Sequence, residues 1–373
     1  MTFTPQPYRH NTPDLSISEL GDMIASIPGI LGYYPQESAV VVSLLDDASG
    51  GALLGPVLRA DLAHAEKLAS VLHELPAQGV CGHLAVIVSR IPNSALVRDA
   101  ADALYAATDI DGEPLVDACW HVSEIATGTP YTLMFGPSVE EMGRCGMPAQ
   151  WVSGTVSSVM TQAAMAPLIA EGALPELERG DARSLFDAVQ DQRWPGDSAS
   201  EARVHRRGRA LAAQLDADPR AARATISEAC GVLLAAPELP MVGGDAAPPL
   251  DALFTCRGEM ELVAAALTDS RVRDCLLGSA LENPRGAAAL FLAIARTFGG
   301  VVRANALSLW AVLAVHLSLS PWAWAAVERA LEEVPGHSMS VIVAKLLRAG
   351  EYEGLVRCAE LGCAQMWAEL GDS

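Results

Sequence analysis

The chain has 373 residues, which exceeds the usual size of a single hydrophobic core and favours two domains. Hydrophobic residues make up 51% of it and charged residues 19%, a composition typical of a folded globular protein and not of a disordered one. The 45 acidic and 25 basic residues give a formal charge of −20, which repels phosphate backbones and anionic lipid surfaces. This charge disfavours nucleic acid as a main partner, and no membrane association is expected.

Three further features favour a cytoplasmic protein. Met1–Pro13 is polar and contains three prolines, where a signal peptide would have an apolar run of about seven or more. The uncharged stretch Ala304–Val327 is broken at Ser320-Pro321, which predicts two buried helices and not a membrane span. The eight cysteines are dispersed without a C-x-x-C pair, which predicts buried free thiols in a reducing compartment. No metal or other cofactor is predicted.

In the first half of the chain, β-branched runs alternate with apolar residues at helical spacing. Strands are predicted at Ser38–Leu45, Leu53–Leu62, His83–Ser89, Leu115–Ser123 and Tyr131–Phe135, and helices at Leu15–Ile27, Ala63–Leu75 and Ser94–Ala107. The first helix is expected to end at Pro28-Gly29, and the short connection Asp46–Gly51 predicts antiparallel pairing of the first two strands. About five strands with interleaved helices predict a mixed α/β sheet.

From Val152 onward the pattern contains no convincing strand, and Val152–Val159 is typical of a helix start. Helices are predicted at Glu201–Leu215, Pro219–Ala235, Glu259–Leu267, Asp269–Leu281, Pro284–Phe298, Val302–Leu317, Pro321–Glu333 and Ser338–Ala349. The residues that we expect to cap a helix N-terminus are Asn93 or Ser94, and, each before a proline, Asp218, Asn283 and Ser320. The second half is therefore predicted to be an all-helical array.

A cluster of Pro, Gly, Asp and Ser at Trp194–Ser200 predicts a linker between the two halves. We therefore predict a mixed α/β domain at residues 14–193 and an all-helical domain at residues 201–373.

Residues spread along the chain carry a family resemblance. They are Leu20, Ile24, Ile27-Pro28, Leu31-Gly32, Tyr34-Pro35, Glu37-Ser38, Val40-Val41-Val42, Arg59-x-Asp61-Leu62, Trp120, Leu309-Trp310-Ala311, Glu328-Arg329-Ala330-Leu331 and Pro335-x-His337-Ser338. With them, most of the chain resembles an uncharacterised actinobacterial family, domain of unknown function 4192. Many members carry a cysteine-rich stretch after the fourth strand, whereas Ala126–Ser138 has no cysteine, so no metal site is carried over. The resemblance implies architecture and brings no assigned activity.

Val302–Val334 is similar to one degenerate tetratricopeptide-type helical hairpin. Alanines stand where its two helices would approach closely, at Ala323, Ala326 and Ala330. Ser338–Gly362 could form a second, incomplete hairpin. About three repeats are needed for a self-sufficient solenoid, so packing against neighbouring helices is favoured over a binding groove.

The common catalytic motifs are missing: the sequence contains no G-x-x-x-x-G-K-[ST], G-x-G-x-x-G or G-x-S-x-G. No catalytic residue is therefore assigned. One polar group of interest includes Tyr33 and the candidate ligand-binding residues Tyr34, Glu37, Ser38, Arg59 and Asp61. If the first two strands pair, these residues meet at one end of the sheet, where α/β proteins often bind ligands. The alternative is that they form structural ion pairs and fix the entry into the strand.

Between Glu201 and Arg223 six arginines and three acidic residues give a local charge of +3. The candidate partner-binding residues are Arg203, Arg206, Arg207 and Arg209. One interpretation is a solvated helix face that pairs with the acidic body of the protein. The other is a docking patch for an acidic partner or a phosphate.

The leading hypothesis is a non-catalytic, cytoplasmic protein-interaction or scaffold module with a protein partner of unknown identity. One alternative is an enzyme, a hydrolase or transferase, with its site at the end of the N-terminal sheet. A third class, nucleic-acid or phosphate binding through the Arg-rich helix, predicts a continuous basic surface there. The sequence leaves the oligomeric state open.

Overall fold

The computed structural model describes residues 19–46, 52–74, 80–138, 151–177, 179–188, 199–243 and 248–371. The chain divides into two compact units, Met1–Ala166 and Pro167–Ser373. A mixed sheet with helices is followed by a helical array, which confirms the predicted fold class. The domain bounds 14–193 and 201–373 stay predictions. Of the predicted linker, all but Ala199 and Ser200 lies outside the described residues.

The first unit contains one sheet of six strands. They are β1 (Ser38–Asp46), β2 (Ala52–Asp61), β3 (Val80–Val88), β4 (Ala118–Val122), β5 (Pro130–Phe135) and β6 (Ser153–Thr155). Their order is β2-β1-β3-β4-β5-β6, and the antiparallel pairing of β1 with β2 confirms that prediction. β3 and β4 are parallel, so the chain needs a crossover between them, which contains α3 (Ala95–Tyr105).

Both faces of the central strands are buried. On one face Val41 and Ile87 form a core with Leu68 of α2 (Glu66–Glu74) and with α3. The next residues along each strand, whose side chains point to the opposite face, are equally inaccessible to solvent. This double burial explains why β1 and β3 have continuous β-branched runs and no polar alternation.

The prediction of no strand after Val152 and of a helix start at Val152–Val159 is wrong. β6 pairs antiparallel with β5, with Tyr131 opposite Gly154. A Cβ at Gly154 would overlap the Tyr131 hydroxyl, so the strand needs glycine at this position. The sequence Ser-Gly-Thr has no apolar alternation, and the strand depends on its partner for its hydrogen bonds.

The predicted end of the first helix at Pro28-Gly29 is also wrong. α1 (Leu20–Leu31) continues through Pro28 and ends at Gly32, which has a left-handed φ of 78°. Pro28 lies in the last turn, where its missing N–H removes a single helix bond, and its carbonyl accepts the Gly32 N–H at 2.8 Å.

The helices after β6 are α4 (Ala166–Ala170), α5 (Arg179–Ser184), α6 (Ser200–Ala217), α7 (Pro219–Ala235), α8 (Leu250–Leu253), α9 (Arg257–Ala266), α10 (Ser270–Cys275), α11 (Leu277–Glu282), α12 (Pro284–Thr297), α13 (Gly300–His316), α14 (Ser320–Glu333), α15 (Ser338–Arg348) and α16 (Tyr352–Gly371). In α13 every residue from Val302 to Val315 is buried, and this helix packs against α12, α14, α15 and α16. The uncharged stretch thus forms two helices, as predicted. Across the described residues, no helix is both long and apolar enough to cross a membrane.

Most of the predicted helix caps are present. The side chains that accept a backbone N–H at a helix start are those of Ser94, Asp218 and Asn283. The prediction that Ser320 caps a helix is wrong, because Ser320 is the first residue of α14 and Leu319 occupies the N-cap position. Its hydroxyl bonds instead to the side chain of Tyr352 at the start of α16.

Candidate functional site

The start of β1 and the ends of β2 and β3 lie together at one end of the sheet. The register places Ser38 opposite Asp61 of β2 and opposite Val88 of β3. Arg59 lies two residues before the end of β2 and therefore close to the start of β1. The structure thus brings together four of the predicted ligand-binding residues, which we call the sheet-end cluster: Glu37, Ser38, Arg59 and Asp61.

Arg59 is the centre of one hydrogen-bond network in this cluster. Its Nε donates to the Ser38 Oγ at 2.9 Å, and its Nη2 lies 2.6 Å from the Asp61 Oδ1. The Ser38 hydroxyl in turn donates to the Gln36 carbonyl at 2.6 Å. The Arg59 side chain is 15% exposed and that of Asp61 is 62% exposed, so only the carboxylate faces solvent freely. These bonds fix the end of β2 to the start of β1.

Glu37 forms a second network with the end of β3. One carboxylate oxygen accepts the Ser89 hydroxyl at 2.8 Å and the other accepts the Arg90 N–H at 3.1 Å. Its carbonyl accepts the Leu62 N–H at 3.1 Å. Glu37 therefore ties β1 to the residues that follow β2 and β3.

Tyr34 stands apart from the cluster. Its phenol is partly buried, and this burial raises its pKa above the ordinary value of 10.0. In the part of the chain that the structure describes, no hydrogen bond or ion pair joins Tyr34 to Glu37 or Arg59. Four of the five predicted residues therefore form two adjacent networks, and Tyr34 belongs to neither.

Most polar atoms of the sheet-end cluster form hydrogen bonds or ion pairs within the fold. Both oxygens of Glu37 and two nitrogens of Arg59 already have partners within the fold. A general acid or base must reach the substrate, directly or through one water. The geometry therefore fits the fastening of strand ends better than proton transfer.

The arginines of α6 fall into an inner and an outer pair. Arg203 Nε lies 2.8 Å from Glu261 Oε1, and Arg207 Nη1 donates to the Gly258 carbonyl at 3.0 Å, so both face α9. Arg206 and Arg209 are exposed, and neither has an ion pair with any residue that the structure describes. We call Arg206 and Arg209 the outer arginine pair.

The model of the family named Domain of unknown function (DUF4192) matches residues 21–352. The match runs from α1 to the first residue of α16 and so includes both the sheet-end cluster and the outer arginine pair. The chain belongs to the DUF4192 family. Searches of curated proteins and of solved structures each returned no match to it.

Four further polar residues of this DUF4192 chain lie at the same end of the sheet and were not predicted as site residues: Ser89, Arg90, His121 and Glu124. The His121 Nε2 must donate its proton to the Ser89 carbonyl, 2.9 Å away, because a carbonyl oxygen only accepts. Arg90 and Glu124 form an exposed ion pair of 3.3 Å. Their position after the parallel strands β3 and β4 was the available signal, since ligands of open α/β sheets bind at such carboxyl ends.

Some of the described cysteines of the DUF4192 chain are buried and others are exposed. The expectation of buried thiols is wrong for three of those described, which are exposed: Cys81, Cys256 and Cys358. Cys119, Cys230, Cys275 and Cys363 are buried. Among the residues with described positions, no three His, Cys, Asp or Glu side chains are grouped so that they could hold a metal ion.

Proposed function

We propose that this DUF4192 protein is a non-catalytic, cytoplasmic interaction module that binds an acidic protein segment on the outer face of α6. The observation that carries the proposal is the outer arginine pair. Arg203 and Arg207 are satisfied within the fold, whereas Arg206 and Arg209 are exposed and have no ion pair in the described structure. Two unpaired guanidinium groups, one helical turn apart, match carboxylates spaced along a partner.

The choice of a protein partner follows from the total charge. At −20, the protein repels a polyanion such as nucleic acid at any distance that salt does not screen. A peptide with a few carboxylates has a lower charge density and can approach the local basic face. Exposed ion pairs contribute about 0.2–1 kcal/mol each, so the outer arginine pair supplies selectivity and salt dependence more than high affinity.

The cytoplasmic part of the proposal is supported by the thiols. None of the seven described cysteines forms a disulfide, which is typical of proteins in a reducing compartment. An enzyme at the sheet end is less well supported, because the groups that would carry its chemistry bond to one another.

The experiment measures binding of a fluorescent Glu/Asp-rich peptide to the full chain. The double variant Arg206→Glu/Arg209→Glu is compared with the control Arg98→Glu/Arg357→Glu, which changes the net charge equally but places the substitutions on α3 and α16. We expect the first variant to weaken binding at least tenfold and the control to weaken it less than threefold. Equal weakening in both variants, or no binding to the unaltered protein, overturns the proposal.

A labelled single-stranded oligonucleotide serves as the second probe. If it binds more tightly than the acidic-peptide probe at the same salt concentration, the nucleic-acid alternative replaces our proposal.

A further inference from the structure

The second, helical unit contains a small, partly open cavity between α12 and residues 239–241, 248 and 253, with Trp310 of α13 also in its wall. Its walls are mostly apolar, and include Met241, Leu253, Ala289 and Leu292. Its volume is about 50 Å³. Since one water molecule needs roughly 10–15 Å³ by such a measure, the space corresponds to a ligand of only a few non-hydrogen atoms.

Trp310, one of the residues that line the cavity, carries a hydrogen-bond donor with no acceptor among the described residues. Trp310 of α13 is fully buried and lines the cavity. Its indole nitrogen has no hydrogen-bond partner in the described structure. An indole N–H can only donate, and buried donors are nearly always satisfied, so this atom needs an acceptor that the described residues do not supply.

Arg296, in the same wall, forms no ion pair with any residue that the structure describes. Arg296 of α12 donates through Nε and Nη2 to the Leu185 carbonyl, at 3.0 and 2.6 Å, and pairs with no carboxylate among the described residues. Burial lowers the pKa of its guanidinium below the ordinary value. Other buried or partly buried arginines of the unit do have acidic partners, in the pairs Arg273–Asp274, Arg285–Glu171 and Arg303–Glu333.

Two donors and apolar walls are complementary to an anion with a short apolar tail. We propose that this cavity binds a short-chain aliphatic carboxylate of two to four carbons, whose oxygens accept hydrogen bonds from Arg296 and Trp310. Because Nε and Nη2 of Arg296 already bond to the Leu185 carbonyl, the donor left for a carboxylate oxygen is Nη1, which bonds to no described residue. The site is independent of the outer arginine pair, so it adds a small-molecule ligand to the proposed interaction module.

The test is a titration of the full chain with sodium propionate, followed by ligand-observed NMR. Propionamide has the same shape without the charge, and sodium nitrate has the charge without the tail. We expect propionate to bind at least tenfold more tightly than either of them. Absence of propionate binding, or equal binding of nitrate or propionamide, overturns the proposal.

Variants then locate the site. Arg296→Met should weaken propionate binding at least tenfold and Trp310→Phe about threefold or more, whereas Arg357→Met on the exposed surface of α16 should have no effect. Ala289→Leu should fill the cavity and leave the hydrogen bonds of Arg296 unchanged. If Arg296→Met fails to fold, Ala289→Leu is the variant that tests the location of the site. Unchanged propionate binding in Ala289→Leu contradicts the proposed location.

Discussion

The Glu37 carboxylate accepts a hydrogen bond of 2.8 Å from the Ser89 hydroxyl, and thereby joins the residue before β1 to the residue after β3. Glu37 has a left-handed φ of 43°, a conformation that costs a non-glycine residue about 1–3 kcal/mol. The bonds from Ser89, Arg90 and Leu62 offset this strain. The residue is therefore held in place by its contacts, which agrees with a fastening role for the sheet-end cluster.

We predict that Glu37→Ala lowers the free energy of unfolding of the sheet unit by about 2 kcal/mol, because the buried Ser89 hydroxyl and the Arg90 N–H lose their acceptor. Glu37→Gln retains one oxygen and should cost about half as much. Hydrogen exchange of the β1 and β3 amides measures the change. The control is Glu124→Ala, which removes an exposed ion pair and should cost less than about 1 kcal/mol. A similar effect of Glu124→Ala and Glu37→Ala would contradict this interpretation.

The sequence was enough to predict which residues lie at the end of the sheet, but not which hydrogen bonds they form. Arg59 and Asp61 follow a strand pattern that places both at the end of β2, and the short loop predicts the pairing with β1. The parts played by Ser89 and Arg90 depend on the register of β1 with β3, two strands separated by about forty residues. No local pattern encodes such a register, which is set by packing of the whole sheet.

A substitution at Gly208 tests the close approach between α6 and the end of α9. A Cβ at this position would overlap the Thr268 side chain, so Gly208→Ala should destabilise the helical unit by about 1–3 kcal/mol. Gly231→Ala on α7 is the matched control: nothing lies within 4 Å of its Cβ position, and alanine should stabilise the helix by about 0.5–1 kcal/mol. Thermal unfolding of both variants gives the signs, and two changes of the same sign would show that the contact is absent.

His337 makes the stability of the helical unit depend on pH. Its Nδ1 accepts the Ser340 N–H at 3.3 Å and caps α15, so the imidazole must be neutral. Burial, and then the charge of Arg273, lower its pKa below the ordinary 6.5. Because the unfolded chain binds the proton first, this stabilisation is complete above about pH 6.5 and is lost as the pH falls toward the lowered folded-state pKa.

The measurement is the thermal midpoint between about pH 8 and pH 5, for the unaltered protein and for His337→Asn. Asparagine also caps helices but does not titrate, so the thermal midpoint of the variant should fall less on acidification than that of the unaltered protein. His205→Asn, on the exposed face of α6, is the control and should leave the profile unchanged. Parallel profiles for His337→Asn and the unaltered protein would rule out this role of His337.

The thiols should differ in reactivity according to their burial. Burial raises the pKa of Cys275 to about 12, and it also raises the pKa values of Cys230 and Cys363. Because the thiolate is the reactive form, a maleimide should label the exposed Cys81, Cys256 and Cys358 within minutes and these buried cysteines at least a hundredfold more slowly. Mass spectrometry of labelled peptides resolves the sites, and labelling in denaturant is the control. Fast labelling of Cys275 in the native protein would contradict the packing around it.

The arginines of α6 show the same limit of sequence reasoning. Their number and spacing identify a basic helix, but helical periodicity alone does not decide which face packs on α9. Arg203 and Arg207 turn out to be structural because Glu261 and the Gly258 carbonyl lie opposite them. The strand β6 was missed for a related reason, since its three residues acquire their structure from β5.

The most direct test of the proposed interaction face is a hydrogen-exchange footprint of the full chain with and without the acidic peptide. We expect slower exchange in the α6 segment that carries Arg206 and Arg209, and loss of this protection in Arg206→Glu/Arg209→Glu. Protection at the sheet-end cluster instead, with none in α6, would overturn the proposed interaction face and favour a site at the end of the sheet.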